Sequence, residues 1–242
     1  MLQAKDFFDL SDQFVKALFD ECDYVWEAVG RIAWHVARLT RERRRVLGNV
    51  MPGAFVSERA VYIDEGARIE PGAYVLGPAY IAAGCVVRHG ALVRQNVIMF
   101  PGSVLGHASE AKNSLFLPRA QAPHFNYVGD AILGHRVNLG AGTKLSNLTV
   151  VSEKDRQTGA RPTIKLQIDG EEYDTGLAKL GGVLGDDAQT GCNSVLNPGC
   201  LLGPRSLVYP NVSLRKGYYG PDTIIKLRQT IEQAPRDKRS RE

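Results

Sequence analysis

Residues 61–105 read VYIDEGARIEPGAYVLGPAYIAAGCVVRHGALVRQNVIMFPGSVL, and an aliphatic side chain returns at every sixth position. A small residue follows four places after each of the first five aliphatic positions. The same phase returns over 133–145 and over 184–214. A period of six matches neither the 3.6-residue repeat of a helix nor the two-residue alternation of a strand. The aliphatic positions in the quoted stretch are Ile63, Ile69, Val75, Ile81, Val87, Val93, Met99 and Leu105.

This period is typical of a hexapeptide β-solenoid. Each hexapeptide supplies a short strand and a turn, and three hexapeptides close a triangular coil. Stacked coils then bury one continuous column of Val, Ile and Leu. The predicted fold class is therefore mainly β, a single-stranded parallel β-helix. Its handedness does not follow from the period, but known hexapeptide families show a left-handed coil.

Three segments lie outside the repeat. Residues 1–47 carry apolar residues at helical spacing and predict an N-terminal helical cap over the first coil. Residues 148–182 break the period and predict an inserted loop with a β-hairpin that turns near Asp169-Gly170. Residues 221–234 predict a C-terminal helix, followed by a basic tail. The predicted domains are a cap over 1–47, a solenoid over 48–218 and a C-terminal segment over 219–242.

Composition excludes several classes of protein. With 242 residues, of which 44% are hydrophobic, the chain has too much apolar surface to be disordered. Its apolar runs fall short of the roughly 20 residues that a membrane span needs, and its N-terminus lacks the features of a signal peptide. We therefore expect a cytoplasmic protein with no membrane partner. The four cysteines are widely spaced, which favours neither a zinc site nor a disulfide framework.

The basic excess is small, a net charge of +4. It is concentrated in RERRR (41–45) and RDKRSRE (236–242), beside no recognisable nucleic-acid module. We interpret both stretches as solvated basic ends, and we expect no nucleic-acid partner.

The densest polar segment is GHASEAKNSLFLPRAQAPHFNYVGDAILGHRVNLGAGTKLSNL, residues 106–148. A His, two residues, a Tyr, then GDA and NLGAGT resemble the acetyltransferase half of the bifunctional UDP-N-acetylglucosamine pyrophosphorylase/glucosamine-1-phosphate N-acetyltransferase, a hexapeptide-repeat acyltransferase. The similarity runs from Arg94 to Asn147 and resumes at Lys179. Three features depart from that enzyme: no Gly-rich nucleotide loop is present, the segment before Lys179 is longer, and the N-terminal helices have no counterpart.

The resemblance implies roles for individual residues. His124 falls on the catalytic base, while Arg94 and Lys112 fall on the cations that hold a sugar phosphate. Positions that line the acetyl-CoA groove fall on Ala141 and Cys192, the latter usually Ser in the family. The positions that contact the sugar or the rest of the substrate fall on Tyr127, Asn138, Asn147 and Lys179.

The chemistry of these residue types agrees with the implied roles. Acetyl transfer needs a neutral amine, and His is a suitable base near neutral pH. Arg and Lys provide a fork and a point charge for a phosphate. Backbone N–H groups around 140–142 are candidates to stabilise the developing oxyanion. Arg215 and Lys216 are candidates to bind the phosphates of coenzyme A.

The sequence thus predicts an acetyl-CoA-dependent N-acyltransferase. It would act on an amino-sugar phosphate, similar to glucosamine 1-phosphate, or on a sugar nucleotide, by direct transfer and without a required metal. The resemblance implies a homotrimer with active sites between neighbours. Two alternatives stay open: a hexapeptide metal enzyme, whose paired His ligands the spacing here lacks, and a non-catalytic solenoid that binds a sugar nucleotide or a partner subunit. We also expect truncation of the hairpin to impair acceptor binding more than folding.

Overall fold

The computed structural model describes residues 1–41 and 43–235. Between Arg45 and Ile225 the chain forms a parallel β-solenoid with three faces, interrupted by one insertion. Every strand of the solenoid pairs in parallel with its equivalents in the neighbouring coils, so that residues at the same place in successive coils lie above one another. The basic stretch 236–242 lies outside the described residues. The hexapeptide period therefore predicted the fold class correctly.

The first and second faces each contain nine strand segments in the described residues. The first face consists of Arg45–Val46, Val61–Ile63, Ala79–Ile81, Val97–Met99, the second halves of Glu110–Phe116 and Tyr127–Leu133, then Gly182–Leu184, Cys200–Leu202 and Gly217–Tyr219. The second face consists of Asn49–Val50, Arg68–Ile69, Val86–Val87, Val104–His107, Gln121–His124, Asn138–Leu139, Gln189–Thr190, Leu207–Val208 and Ile224–Ile225.

The third face is formed by the strands that follow the second-face strands in each coil. It consists of Phe55–Val56, Tyr74–Val75, Leu92–Val93, the first halves of Glu110–Phe116 and Tyr127–Leu133, then Lys144–Leu145, Val195–Leu196 and Ser213–Leu214. Two long strands therefore run from the third face around a corner into the first face.

The interior of the solenoid is the apolar column that the repeat predicted. Ile63, Ile81 and Met99 are fully buried and lie in register on the first face. Burial of each such side chain contributes about 1.5–3 kcal/mol. The small-residue position is buried as well: burial raises the pKa of the Cys85 thiol to about 12 and that of Cys200 further still. These thiols are structural.

The repeat disappears between Leu105 and Leu133 because two coils are one residue shorter. Ala79 pairs with Val97, 18 residues on, whereas Val97 pairs with Ser114, 17 residues on. The residue is lost at the corner between the third and first faces. Buried side chains continue the interior column there with steps of five and six residues: Ala111, Phe116, Ala122 and Val128.

The N-terminal segment lies along the first face, which corrects the predicted cap over the first coil. Its helices are a short 3-10 turn at Ala4–Asp6, α1 at Gln13–Lys16 and α2 at Glu27–Thr40. The outward positions of the first face are apolar in the middle coils, at Ile98, Leu115 and Ile132. These side chains need cover from water, and α2 supplies it across five coils. None of the helices in the described residues is long and apolar enough to cross a membrane.

Helix α2 is amphipathic, which explains how it packs. Val29, Ile32 and Val36 are buried at helical spacing, while Trp34 on the opposite side is half exposed. The helix ends at Arg41, which adopts a left-handed conformation at the C-cap.

The insertion contains the predicted hairpin. Strands Lys165–Ile168 and Glu171–Asp174 pair antiparallel, and both turn residues, Asp169 and Gly170, have positive φ, as a two-residue hairpin turn requires. Ile164, Leu166 and Ile168 are buried in the same core as α2. The hairpin is thus part of a second hydrophobic core, which lies between α2 and the outer surface of the first face. This burial leads us to expect that loss of the hairpin would impair folding as well as acceptor binding.

Ion pairs join the two sides of the insertion at the corner between the first and second faces. Arg136 makes a bidentate pair with Asp187 at 2.6 and 2.7 Å. Asp186 accepts hydrogen bonds from the His135 backbone N–H at 2.7 Å and from Asp9 N–H at 2.7 Å, and its Oδ1 lies 2.9 Å from His135 Nδ1. The solenoid resumes in register after the insertion because these contacts fix the returning strand.

The predicted C-terminal helix over 221–234 is absent. Ile224–Ile225 instead pairs with Leu207 and Val208 as the last strand of the second face. These isoleucines continue the solenoid repeat, and in-register pairing satisfies their backbone groups. Residues 226–235 have no regular secondary structure.

We expect Ile32→Ala to lower the free energy of unfolding by about 2–5 kcal/mol, because it opens a cavity beneath α2. The matched control is Ile231→Ala, since Ile231 is 75% exposed and should leave stability unchanged. Denaturant unfolding of both variants measures the difference. Equal stability of the two would contradict the packing of α2 on the first face.

We expect Leu166→Ala to destabilise the protein by a similar amount, because this hairpin side chain is fully buried. Leu227→Ala is its control, as that side chain is exposed. Thermal unfolding of both variants is the measurement. An unchanged melting temperature for Leu166→Ala would show that the hairpin is dispensable for folding.

Candidate functional site

Three predicted residues stack at the corner between the second and third faces. Phe125 N–H donates to the His107 carbonyl at 2.9 Å, and Gly142 N–H donates to the His124 carbonyl at 2.9 Å. One coil further, Asn193 N–H donates to the Ala141 carbonyl at 2.8 Å. His124, Ala141 and Cys192 therefore occupy one column in three successive coils. Their separation in sequence hides this alignment because the insertion lies between the second and third.

The His124 side chain is accessible. The residue is exposed at the end of strand Gln121–His124, and its ring makes no hydrogen bond to another residue in the described part of the chain. Its backbone N–H donates to Asn126 Oδ1 at 3.0 Å. Asn126 is buried and donates in turn to the Gly140 carbonyl at 2.8 Å. Asn126, which no sequence motif indicated, thus holds the His124 turn against the next coil.

Two further histidines continue this column above His124. The rings of His89 and His107 are stacked with centroids 4.2 Å apart. His107 Nδ1 lies 3.1 Å from the His89 carbonyl, and because a carbonyl only accepts, His107 donates from Nδ1. His107 is also the Cα partner of His124. The sequence did not indicate that His107 lies beside His124, because the amino-acid sequence alone does not show which residues pair between neighbouring coils.

The backbone around the glycines is mostly engaged. Gly142 has φ +75, a conformation that favours glycine, and its N–H is the donor to His124. Gly140 N–H donates to the Thr190 carbonyl at 2.8 Å. Ala141 N–H makes no hydrogen bond to another described residue. Of the three N–H groups in this turn, only that of Ala141 is therefore available to a ligand.

A polar cluster lies across the third face, at its corner with the first face. Its centre is Asp130, a buried carboxylate in the left-handed conformation. Lys112 Nζ donates to its two oxygens at 3.1 and 3.0 Å, and Asn113 Nδ2 donates at 2.9 Å. Asn147 Nδ2 donates to it as well. Asp130, which had no predicted role, therefore orients Lys112 and Asn147, two residues predicted to bind the substrate.

The second predicted cation, Arg94, is paired too. Its guanidinium donates to Glu110 Oε1 at 2.8 Å, which raises the pKa of Arg94 above its usual value. Burial, with Glu110 and Asp130 nearby, raises the pKa of the Tyr127 phenol, so that this group stays protonated and can donate a hydrogen bond. In the free chain, both cations predicted to bind the sugar phosphate, Arg94 and Lys112, are thus paired with a carboxylate.

Lys179 lies next to this cluster. It is exposed at the end of the insertion, and the following residues anchor the backbone there. Leu180 N–H donates to the Asn147 carbonyl at 3.1 Å, and Gly181 N–H donates to the Asp130 carbonyl at 2.7 Å.

Other predicted residues lie elsewhere in the chain. Asn138 is on the second face, in register with Gln121 and Gln189. Arg215 and Lys216 are exposed on the last coil, after strand Ser213–Leu214, at the corner between the third and first faces. One chain therefore does not bring Asn138 to the Asp130 cluster, nor these two cations to the column of Ala141 and Cys192.

Comparison with known proteins gives clear relatives. No family model matches the chain. A bifunctional sugar-1-phosphate nucleotidylyltransferase/acetyltransferase of Sulfurisphaera tokodaii is 31% identical over 191 residues, which cover 79% of this chain and 45% of the relative. The bifunctional protein GlmU of Methanococcus aeolicus is 35% identical over 176 residues, which cover 73% of this chain and 40% of the relative. The chain thus spans less than half the length of these curated relatives.

Among solved structures, a UDP-N-acetylglucosamine acyltransferase from Campylobacter jejuni matches 73% of this chain and 68% of its own, at 13% identity and a TM-score of 0.35. The sequence relatives and the hexapeptide solenoid together indicate the family. The chain is a homologue of the GlmU-type bifunctional proteins and belongs to the hexapeptide-repeat acyltransferases.

Proposed function

We propose that the chain transfers an acetyl group from acetyl-CoA to the amine of an amino-sugar phosphate or a sugar nucleotide, with His124 as the general base. The observation that carries this proposal is the column in which the exposed imidazole of His124 lies one coil from the N–H of Ala141, with neither group hydrogen-bonded to another described residue. The name of the Sulfurisphaera tokodaii relative, a bifunctional sugar-1-phosphate nucleotidylyltransferase/acetyltransferase, supports the reaction class.

The proposed step is a direct transfer. The amine nitrogen attacks the thioester carbonyl carbon, so that an N–C bond forms and the C–S bond breaks. His124 takes the proton that the amine loses and returns it to the sulfur of the departing thiolate. No acyl-enzyme forms, and the exposed thiol of Cys192 lines the donor groove without reacting.

Ala141 is the proposed oxyanion donor. Negative charge develops on the thioester oxygen during attack, and a fixed N–H stabilises it more than water does. Gly140 and Gly142 are excluded from this role because their N–H groups bind carbonyls of neighbouring coils. This narrows the sequence-based expectation from three donors to one.

The Asp130 cluster is the proposed site of the acceptor phosphate. Arg94 and Lys112 supply cations, and the protonated Tyr127 supplies a donor. Asp130 acts as a positioning residue, since it holds Lys112 and Asn147 in place. Lys179 completes the proposed phosphate site. It is adjacent to Leu180, whose backbone N–H donates to the Asn147 carbonyl and so anchors the end of the insertion at the cluster.

We propose that the working form is a homotrimer. Asn138 lies on the second face, and the predicted donor cations lie across the third face from Ala141. A site that uses all of these residues needs a second copy of the chain. The flat parallel faces suit a closed cyclic assembly, and the number three comes from the resemblance.

We expect His124→Ala to lower kcat about 10²–10⁴-fold, because it removes the base that accepts the amine proton. Thiol release from acetyl-CoA with glucosamine 1-phosphate measures the rate. The matched control is His89→Ala, two coils away, which should change the rate less than threefold. If the wild type turns over and His124→Ala retains the same rate, His124 is not the base. If the wild type binds both substrates without any turnover, the non-catalytic solenoid is favoured.

We expect Lys112→Met to raise KM for the sugar phosphate tenfold or more while kcat changes little, because it removes one of two cations from the phosphate. Lys165→Met is the control, since Lys165 is paired with Glu172 at 2.8 Å on the hairpin surface. Steady-state kinetics with varied acceptor separates KM from kcat. A loss confined to kcat would place Lys112 outside the phosphate site.

A further inference from the structure

A cleft opens where α2 ends above the first coils. Its volume is about 440 Å³ on one side of Phe14 and about 410 Å³ on the other, and both parts share Phe14 and Leu39. The first face is covered by α2 in the middle coils, but its outward positions at the first coils are Arg45, Tyr62 and Tyr80. The C-terminal part of α2 contacts the strands that carry Tyr62 and Tyr80, and the cleft opens beside these residues, where the helix ends at Thr40. Each part has the size of a small-molecule site, roughly 300–1,000 Å³.

One part of the cleft is lined by arginines. They come from the RERRR stretch, for which sequence analysis gave no role beyond a solvated charge: Arg41, Arg43, Arg44 and Arg45. Arg44 lies 3.5 Å from Glu58 and donates to the Ser57 carbonyl at 3.2 Å. The other three make no ion pair within the described ranges 1–41 and 43–235. Tyr62 on the cleft wall donates a hydrogen bond to Asp64 at 3.2 Å. Glu42, which follows Arg41 in sequence, lies outside the described residues.

The walls beside these arginines are aromatic. The Tyr62 and Tyr80 rings are stacked, with centroids 5.1 Å apart and an angle of 12° between their planes. In the other part of the cleft, the Arg38 guanidinium lies 4.5 Å from the Trp34 ring centroid. The Arg31 guanidinium also lies over this ring, 5.8 Å from its centroid, and Trp34 as a whole is 48% exposed, so that part of the indole is accessible to a ligand.

A buried hydrogen-bonding group also lines the Trp34 part. His35 is only 8% exposed, and its Nε2 has no hydrogen-bond partner in the part of the chain that the structure describes. Burial and the neighbouring Arg31 lower the pKa of His35, which keeps the imidazole neutral. A buried polar atom without a partner destabilises the folded state. A ligand that offers a donor or an acceptor would satisfy it.

These features match the parts of a nucleotide. Aromatic rings stack on bases, which all have a flat face, and arginine forks bind phosphate oxygens in pairs. We propose that this cleft binds a nucleoside diphosphate or triphosphate, with its base beside Trp34 and His35 and its phosphates among Arg41, Arg43 and Arg45.

The proposed nucleotide site is separate from the acyltransferase site. It adjoins the first face at the first coils, whereas His124 and Ala141 lie at the corner between the second and third faces. The two sites therefore predict independent effects of substitution. The proposal does not depend on the acyltransferase mechanism, and its failure would leave that mechanism untouched.

Intrinsic fluorescence of the full-length protein is a direct test. The chain has two tryptophans, and Trp26 is 1% exposed, so that a ligand in the cleft should change the emission of Trp34 alone. We expect UDP or ADP to quench this emission in a saturable way. Arg43→Gln/Arg45→Gln should weaken binding at least tenfold. His124→Ala should not change it.

The matched control is Arg156→Gln/Arg228→Gln, which removes two exposed arginines far from the cleft in sequence and should bind nucleotide like the wild type. Arg43→Lys keeps the charge but loses the fork, and circular dichroism verifies the fold of each variant. Three results would overturn the proposal: no saturable quench, tripolyphosphate binding as tightly as the nucleotides, or equal weakening in the control variant. Tighter binding of a single-stranded RNA than of UDP would instead assign the cleft to nucleic acid.

Discussion

Parallel strand pairing sets each residue of the solenoid directly above its equivalent in the next coil, about 4.8 Å away. The interior column and the corner columns depend equally on this register. Ile63, Ile81 and Met99 stack inside because their strands pair without slippage, and His107, His124 and Ala141 stack outside for the same reason. A slip by one residue would exchange the two faces of each strand. Burial of the interior therefore fixes the geometry of the site.

The polar cluster lies in the two shortened coils between Leu105 and Leu133. Asn113 and Asp130 adopt left-handed conformations at the corner of these coils, which cost of order 1–3 kcal/mol each in non-glycine residues. Mutual hydrogen bonds offset this cost, since Asn113 donates to Asp130. The same carboxylate then holds Lys112 and Asn147. The polar cluster is thus built at the point where the repeat is interrupted.

The sequence predicted the features that repeat and missed those that depend on neighbours in space. The six-residue period predicted the solenoid, and Asp169-Gly170 predicted the hairpin turn, because both signals are local. The position of α2 could not be predicted, since the apolar face that it covers is made by residues from separate coils. Asn126 and Asp130 were missed for the same reason. Residues 221–234 were misinterpreted as helix because Ile224 and Ile225 fit an amphipathic pattern as well as a final strand.

Charge balance explains how the polar cluster can be stable without a ligand and still favour one. Lys112 and Asp130 are largely buried, and a buried charge without a partner is costly. Arg94 and Glu110 are each about one-third exposed, so that their pair contributes little stability. A phosphate therefore gains more from Arg94, which can leave Glu110 at small cost, than from Lys112, which must stay beside Asp130. In the proposed function, Lys112 would therefore fix the position of the phosphate, and Arg94 would move to bind it.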